Sequence, residues 1–234
     1  MPLRSIENAA RALQYFQRLQ ENLANNLANA PTDGFKRDLM YGQLIGNNAS
    51  PVPMQMLDLT QGTLRETGGS FDLALEGQGF FVVGTAQGER LTRGGAFHLD
   101  PGGMLVDTQG DPVLGVDGPI LVPGDGGESF EVLADGSVMV DGSTVGVLRI
   151  ENVADQDQLE KGGLGRFVAN GATEAVNAAE TRVRQGAIEE SNVDTINGMI
   201  DLITVQREFQ ANMSALQSLD GQLEKVANRL GQPI

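Results

Sequence analysis

The sequence predicts an α+β chain whose N- and C-terminal helices pair as a coiled-coil-like stalk, with a mainly antiparallel β domain between them. Three observations predict it. Apolar residues recur on alternating three- and four-residue steps at both ends of the chain, as in a helix with a narrow seam. Short apolar stretches broken by Asp-Gly pairs fill the middle, as in a run of hairpins. Charge is divided along the same lines: residues 1–50 carry four acids and five bases, 51–190 carry 22 and eight, and 191–234 carry five and three. The implied segments are an N-terminal helix (1–34), a linker or extended segment (35–61), the β domain (62–170), a return linker (171–190) and a C-terminal helix (191–234).

The first helix is read over residues 3–30. Ile6, Ala9, Leu13, Phe16, Leu23, Leu27 and Ala30 form its seam, with Gln20 as the polar interruption. Asn22, Asn25, Asn26 and Asn29 weaken the second half, because Asn competes for backbone hydrogen bonds. Such a helix is expected to fray until a neighbour covers its seam. Pro31 and Asp33-Gly34 end it. Residues 47–53, with two prolines among small polar residues, read as an extended linker.

From residue 62, apolar stretches such as Phe71–Leu75, Phe80–Val83 and Val138–Val140 recur at eight-to-ten-residue intervals. Gln109-Gly110, Asp117-Gly118, Asp135-Gly136 and Asp141-Gly142 lie between such stretches. Strands at this spacing without helical patterns between them predict antiparallel pairing, not βαβ units. Gly77 to Phe81 (Gly-Gln-Gly-Phe-Phe) predicts a close backbone approach, with an aromatic ring entering the core.

The last helix opens at Ser191-Asn192-Val193-Asp194, with Ser191 as the expected N-cap and Asp194 in the first turn. Met199, Leu202, Phe209, Met213, Leu216, Leu223, Ala227 and Leu230 form its seam, interrupted by Gln206 and Asp220, and Gly231 and Pro233 stop it. Two narrow seams facing away from a polar surface call for partner helices. Packing on the chain's own β domain is the alternative that periodicity leaves open. The candidate interface residues are Ile6, Leu13, Phe16, Leu23 and Leu27 in one helix, and Met199, Leu202, Phe209, Met213, Leu216 and Leu223 in the other.

Catalytic chemistry finds little support. His98 is the only histidine and there is no cysteine, which excludes disulfides, thiolate metal sites and paired-histidine chemistry within one chain. No Asp-rich turn matches a calcium loop and no glycine-rich stretch carries a phosphate-loop lysine. No cofactor, metal or small-molecule substrate is expected. A net charge of −15 disfavours nucleic acid as a partner. No apolar run approaches the roughly 20 residues that span a bilayer. Arg4, Glu7, Arg11 and Arg18 interrupt the first segment where a cleavable signal needs an apolar core. A secreted glycan-processing or binding protein is the rival class; it would need paired carboxylates in a groove, for which Glu89 with Asp100 or Asp107 with Asp111 are available.

The run Asn22-Leu23-Ala24-Asn25-Asn26-Leu27-Ala28-Asn29-Ala30-Pro31-Thr32-Asp33-Gly34-Phe35-Lys36 resembles the signature of the bacterial flagellar axial proteins, the rod and hook subunits. So do Gln61-Gly62-Thr63-Leu64-Arg65-Glu66-Thr67-Gly68 and Asp72-Leu73-Ala74-Leu75-Glu76-Gly77-Gln78-Gly79-Phe80-Phe81. Thr92-Arg93-Gly94-Gly95-Ala96-Phe97 and Gln185-Gly186-Ala187-Ile188-Glu189-Glu190-Ser191-Asn192-Val193-Asp194 follow in family order. Leu91 stands where the family pattern has Tyr. The resemblance implies a non-enzymatic subunit that polymerises helically through its terminal helices, transmits torque and forms part of an export channel wall. It implies copies of itself and other rod and hook subunits as partners, together with the flagellar type III export apparatus, and a rod crossing the periplasm. It adds Asn26, the motif turn of Thr32, Gly34, Phe35 and Lys36, and Ser191, Asn192, Val193 and Asp194 to the residues of interest. Within the family, the modest length and Gly110-Asp111-Pro112-Val113-Leu114-Gly115 resemble a proximal-rod subunit, with a distal-rod paralogue as the alternative.

Overall fold

In the computed structural model, residues 2–44, 51–123, 129–176 and 181–230 are described. Side chains are described within these except at 2–9, 43, 44, 51, 52, 157, 219, 220 and 222–230. The side chains of Ile6 and Leu223, the stretch 47–50, the glycine-rich stretch 124–127, and Gly231 and Pro233 therefore lie outside the described residues. The fold is α+β: a helix at each end and antiparallel sheets between them. It divides into two units.

The first unit joins Met1–Ala28, Asp38–Met56 and Asp194–Ile234. Helix α1 spans Pro2–Ala28 and helix α2 spans Thr195–Leu230, and the two are in contact. A two-stranded ribbon, Asp38–Leu44 with Pro51–Leu57, occupies the stretch read as a linker or extended segment. Prolines are tolerated in such a ribbon because each strand has an outer edge with no ladder to complete. The asparagines that weaken α1 as an isolated helix have a tertiary use. Asn26 is only 6% exposed. It donates Nδ2–H to the Asp38 carbonyl at 2.9 Å and accepts the Asp38 N–H on Oδ1 at 2.9 Å. An amide side chain thereby completes the edge of the ribbon as a strand would.

Helix α2 starts one turn later than its sequence signature suggests. Asp194, not Ser191, is its N-cap: Asn197 N–H donates to Asp194 Oδ1 at 3.0 Å. Ser191 is instead held in a short turn in which Val193 N–H donates to its Oγ at 3.2 Å.

The second unit joins Asn29–Arg37 to Leu57–Val193. Its largest sheet has six antiparallel strands in the order Leu159–Gly163, Arg166–Ala169, Gly88–Thr92, Phe80–Thr85, Ile150–Val153 and Thr173–Ala175. Phe80 and Phe81 point to opposite faces, as successive strand residues must, and each enters a separate apolar cluster. Phe81 packs with Leu73, Leu105 and Val113, and Phe80 with Val82, Leu91 and Phe167. Asp141 and Gly142, with φ of 50° and 77°, make the two-residue hairpin that Asp-Gly favours.

The expected return linker contributes three strands. Thr173–Ala175 edges the large sheet, Arg182–Gln185 pairs with Leu73–Glu76, and Ala187–Glu189 pairs with Leu64–Glu66. The last of them lacks the alternation that marks a strand, because Ala187, Ile188 and Glu189 are all buried. Pairing across more than a hundred residues, not local pattern, makes the last two of them strands.

Candidate assembly surfaces and the motif junction

The family-like segments converge inside the second unit. Glu189 is fully buried, and its Oε1 accepts from Lys36 Nζ at 2.5 Å and from Gly62 N–H at 2.9 Å. Its Oε2 accepts from Arg93 Nη1 at 3.0 Å. Lys36 Nζ also donates to the Thr60 carbonyl at 2.7 Å, and Arg93 Nη2 to the Gly77 carbonyl at 2.6 Å. The Arg93 guanidinium lies 5.4 Å from the centre of the Phe80 ring, and its Nε is buried without a partner. Two buried cations thus share one buried carboxylate. Burial pushes both the Lys36 ammonium and the Arg93 guanidinium below their ordinary pKa, against the opposing pull of Glu189.

Beside the triad, Asn192 ties three segments together. Its Oδ1 accepts Arg37 N–H at 2.8 Å, and its Nδ2 donates to the carbonyls of Asp58 at 2.8 Å and Thr60 at 3.1 Å. Thr32 closes the preceding turn, accepting Phe35 N–H at 3.2 Å, and Phe35 is buried beneath Lys161, whose Nζ sits 4.2 Å from the ring centre. Gly34 has φ of 68° and runs against the Arg93-Gly94 backbone. Thr32, Gly34, Phe35, Lys36 and Asn192 are therefore brought together as a structural knot. Arg93 and Glu189, absent from the site residues expected from sequence, are its ionic centre. No local pattern marks them; their only signal is that each falls in a family-like segment.

Asp58 flanks this knot. Burial raises its pKa, but hydrogen bonds from Thr60 and from Arg37 outweigh that and hold the carboxyl below its ordinary value of 3.8. A depressed carboxylate adds stability that is complete above the unfolded value and is lost as pH falls through the lower folded value. Asp58→Asn should therefore flatten the acid limb of stability against pH below about pH 4, while leaving the slope near neutrality unchanged. Urea midpoints measured from pH 2 to 7 check this.

In the first unit the seam residues divide. Leu13, Phe16, Leu23 and Leu27 of α1 are half-buried, as are Leu202, Phe209 and Leu216 of α2. Val205, passed over in the sequence pattern, is the most buried apolar residue of α2 among the described residues, at 7% exposed. Met199 and Met213 stand outside this covered stripe. Ile196 (73% exposed), Met199, Ile200 (55%) and Ile203 form a second apolar face on the first turns of α2.

The carboxylates of the rival reading are otherwise engaged. Glu89 pairs with Arg149, and Asp107 and Asp111 share Arg166, while Asp100 caps a turn by accepting Gly102 and Met104 N–H. Asp107, Thr92 and Arg166 do line a small cavity of about 240 Å³ with Thr32 and Asp33, but its acids are ion-paired, not poised as acid and base. His98 is exposed on a two-residue strand. Among the described residues no group of His, Cys, Asp or Glu is placed to hold a metal, and no helix is long and apolar enough to cross a membrane.

Three family descriptions match this sequence. "Flagella basal body rod protein" covers residues 6–36, "Flagellar hook protein FlgE/F/G D1 domain" covers 74–140, and "Flagellar basal body rod FlgEFG protein C-terminal" covers 184–230. The chain is 34% identical to the flagellar basal-body rod protein FlgF of Caulobacter vibrioides over 90% of this chain and 91% of that protein. It is 32% identical to FlgF of Escherichia coli over 84% and 86%, and 28% identical to the rod protein FlgG of Bacillus subtilis over 97% and 98%.

Proposed function

The chain belongs to the flagellar basal-body rod protein family, a structural and non-enzymatic family, and from that premise we propose that it is a proximal-rod subunit of the FlgF type, polymerising helically through its terminal helices. The observation that carries this reading is the two-sidedness of α2. One stripe, Leu202, Val205, Phe209 and Leu216, is covered within the chain, while Ile196, Met199, Ile200 and Ile203 stay exposed. Exposed apolar residues at helical spacing are unusual on a soluble surface and mark a docking face.

Burial of that face yields about 25 cal/mol per Å² of apolar area. Heterologous contacts that do not close would then extend a shaft, with the paired helices as a coiled-coil-like inner wall of an export channel. Other rod and hook subunits are the neighbours this reading implies, and delivery by the flagellar export apparatus follows from it.

Ile200→Asp places a charge on the exposed face without touching the covered stripe. It should lower incorporation of the chain into purified hook–basal bodies at least about tenfold, with the melting curve of the purified subunit unchanged. Quantitative immunoblotting of basal bodies provides the measurement; wild-type incorporation by Ile200→Asp would count decisively against this docking face.

A further inference from the structure

We propose that α1 and α2 carry matched charged rows that join one copy of the chain to the next, with Arg11 and Arg18 of one copy facing Asp201 and Glu208 of another. This rests on the rod-subunit reading above and adds the polar half of the contact. Arg11 and Arg18 are seven residues apart, as are Asp201 and Glu208. Seven residues are nearly two helical turns, so each pair lies on one side of its helix, roughly 10.5 Å apart. Two rows of equal pitch and opposite sign can therefore be satisfied together.

Among the described residues both rows are unmatched. All four side chains are exposed. Among the described residues none of the four forms an ion pair, although α1 and α2 touch. Asp194, a further seven residues back, is already occupied as the cap of α2 by Asn197 N–H and Nδ2. Charged residues flanking an apolar helical seam set partner and register more than they set affinity.

A second observation points to an acceptor at the same place. The arginine row ends at a cavity of about 370 Å³ between α1 and the ribbon, lined by Arg18, Glu21, Asn22, Asn25, Asp38 and Met54 among others. Asn22 is 7% exposed, and its Nδ2 has no hydrogen-bond partner. The amide cannot simply be turned around. Asn26 is fixed in orientation by its two bonds to the Asp38 backbone, so it must offer Nδ2–H to Asn22 Oδ1, at 3.2 Å. That leaves the Asn22 donor directed away from Asn26. A buried donor beside a cation is satisfied by a carboxylate or carbonyl, and the acidic row of a second copy supplies one.

The test is sedimentation velocity of the purified full chain at low and high salt. Self-association should weaken as salt rises. Arg11→Glu with Arg18→Glu should weaken it about tenfold or more, as should Asp201→Lys with Glu208→Lys, and the four substitutions together should restore it to within about threefold. Asn22→Asp keeps the acceptor that Asn26 needs and removes the donor, so it should weaken association as the arginine substitutions do. If wild-type chains associate but the fourfold variant is no better than the double variants, the charged rows are wrong and the rod reading survives. If wild-type chains do not associate at any salt, the second copy is the wrong partner. Absence of the chain from purified basal bodies would in addition remove the rod reading itself.

Discussion

Glu189→Gln is expected to destabilise the β unit by about 3–5 kcal/mol, the cost of breaking a buried ion pair from one side. The substitution keeps the volume and one acceptor but removes the charge, leaving Lys36 and Arg93 facing each other with side chains 1% and 5% exposed. At such burial solvent cannot screen the repulsion. Lys36→Met provides the discriminating comparison. It leaves one cation to one carboxylate, restoring charge balance, and should cost clearly less than Glu189→Gln although it removes two hydrogen bonds. Urea unfolding followed by far-ultraviolet circular dichroism measures both. Equal losses for the two variants would mean that the hydrogen bonds, not the charge balance, dominate the triad.

Gly34→Ala should be at least as damaging, above about 4 kcal/mol, the range reserved for steric and buried-charge lesions. A Cβ at this position would meet Gly94 N at 2.2 Å and Arg93 C at 2.3 Å. Both are backbone atoms held by neighbouring pairing, so neither can swing away as a side-chain tip would. The conformation adds to the clash, since φ of 68° is left-handed. Gly110→Ala separates the two effects: its φ is 85°, but nothing lies within 4 Å of the added carbon. It should cost only about 1 kcal/mol. A Gly34→Ala loss as small as that of Gly110→Ala would show that the motif turn can move away from Arg93.

The helices and hairpins were legible in the sequence because their signals are local. Apolar steps of three and four identify α1 and α2, and Asp141-Gly142 makes its hairpin where the dipeptide predicts. The ion triad was not legible, since Lys36, Arg93 and Glu189 have no periodic relation and meet only when strands far apart in sequence pair. The start of α2 was misplaced for a related reason. Ser191-Asn192-Val193-Asp194 looks like a capping sequence from its first residue, but Asn192 spends its side chain on Arg37, Asp58 and Thr60. That contact holds the segment extended until Asp194 takes over as cap. Val205 escaped because a strict heptad steps past it, whereas the 3.6-residue period of a single helix includes it.

The pairing of Leu64–Glu66 with Ala187–Glu189, and of Leu73–Glu76 with Arg182–Gln185, has a kinetic consequence. Domains dominated by contacts this remote in sequence fold slowly, because loop-closure entropy comes due before the contacts reward it. The first strands of the β unit have no edge partner until more than a hundred further residues have been made. An emerging chain can therefore close its local hairpins early but completes this edge of the β unit only late in its synthesis.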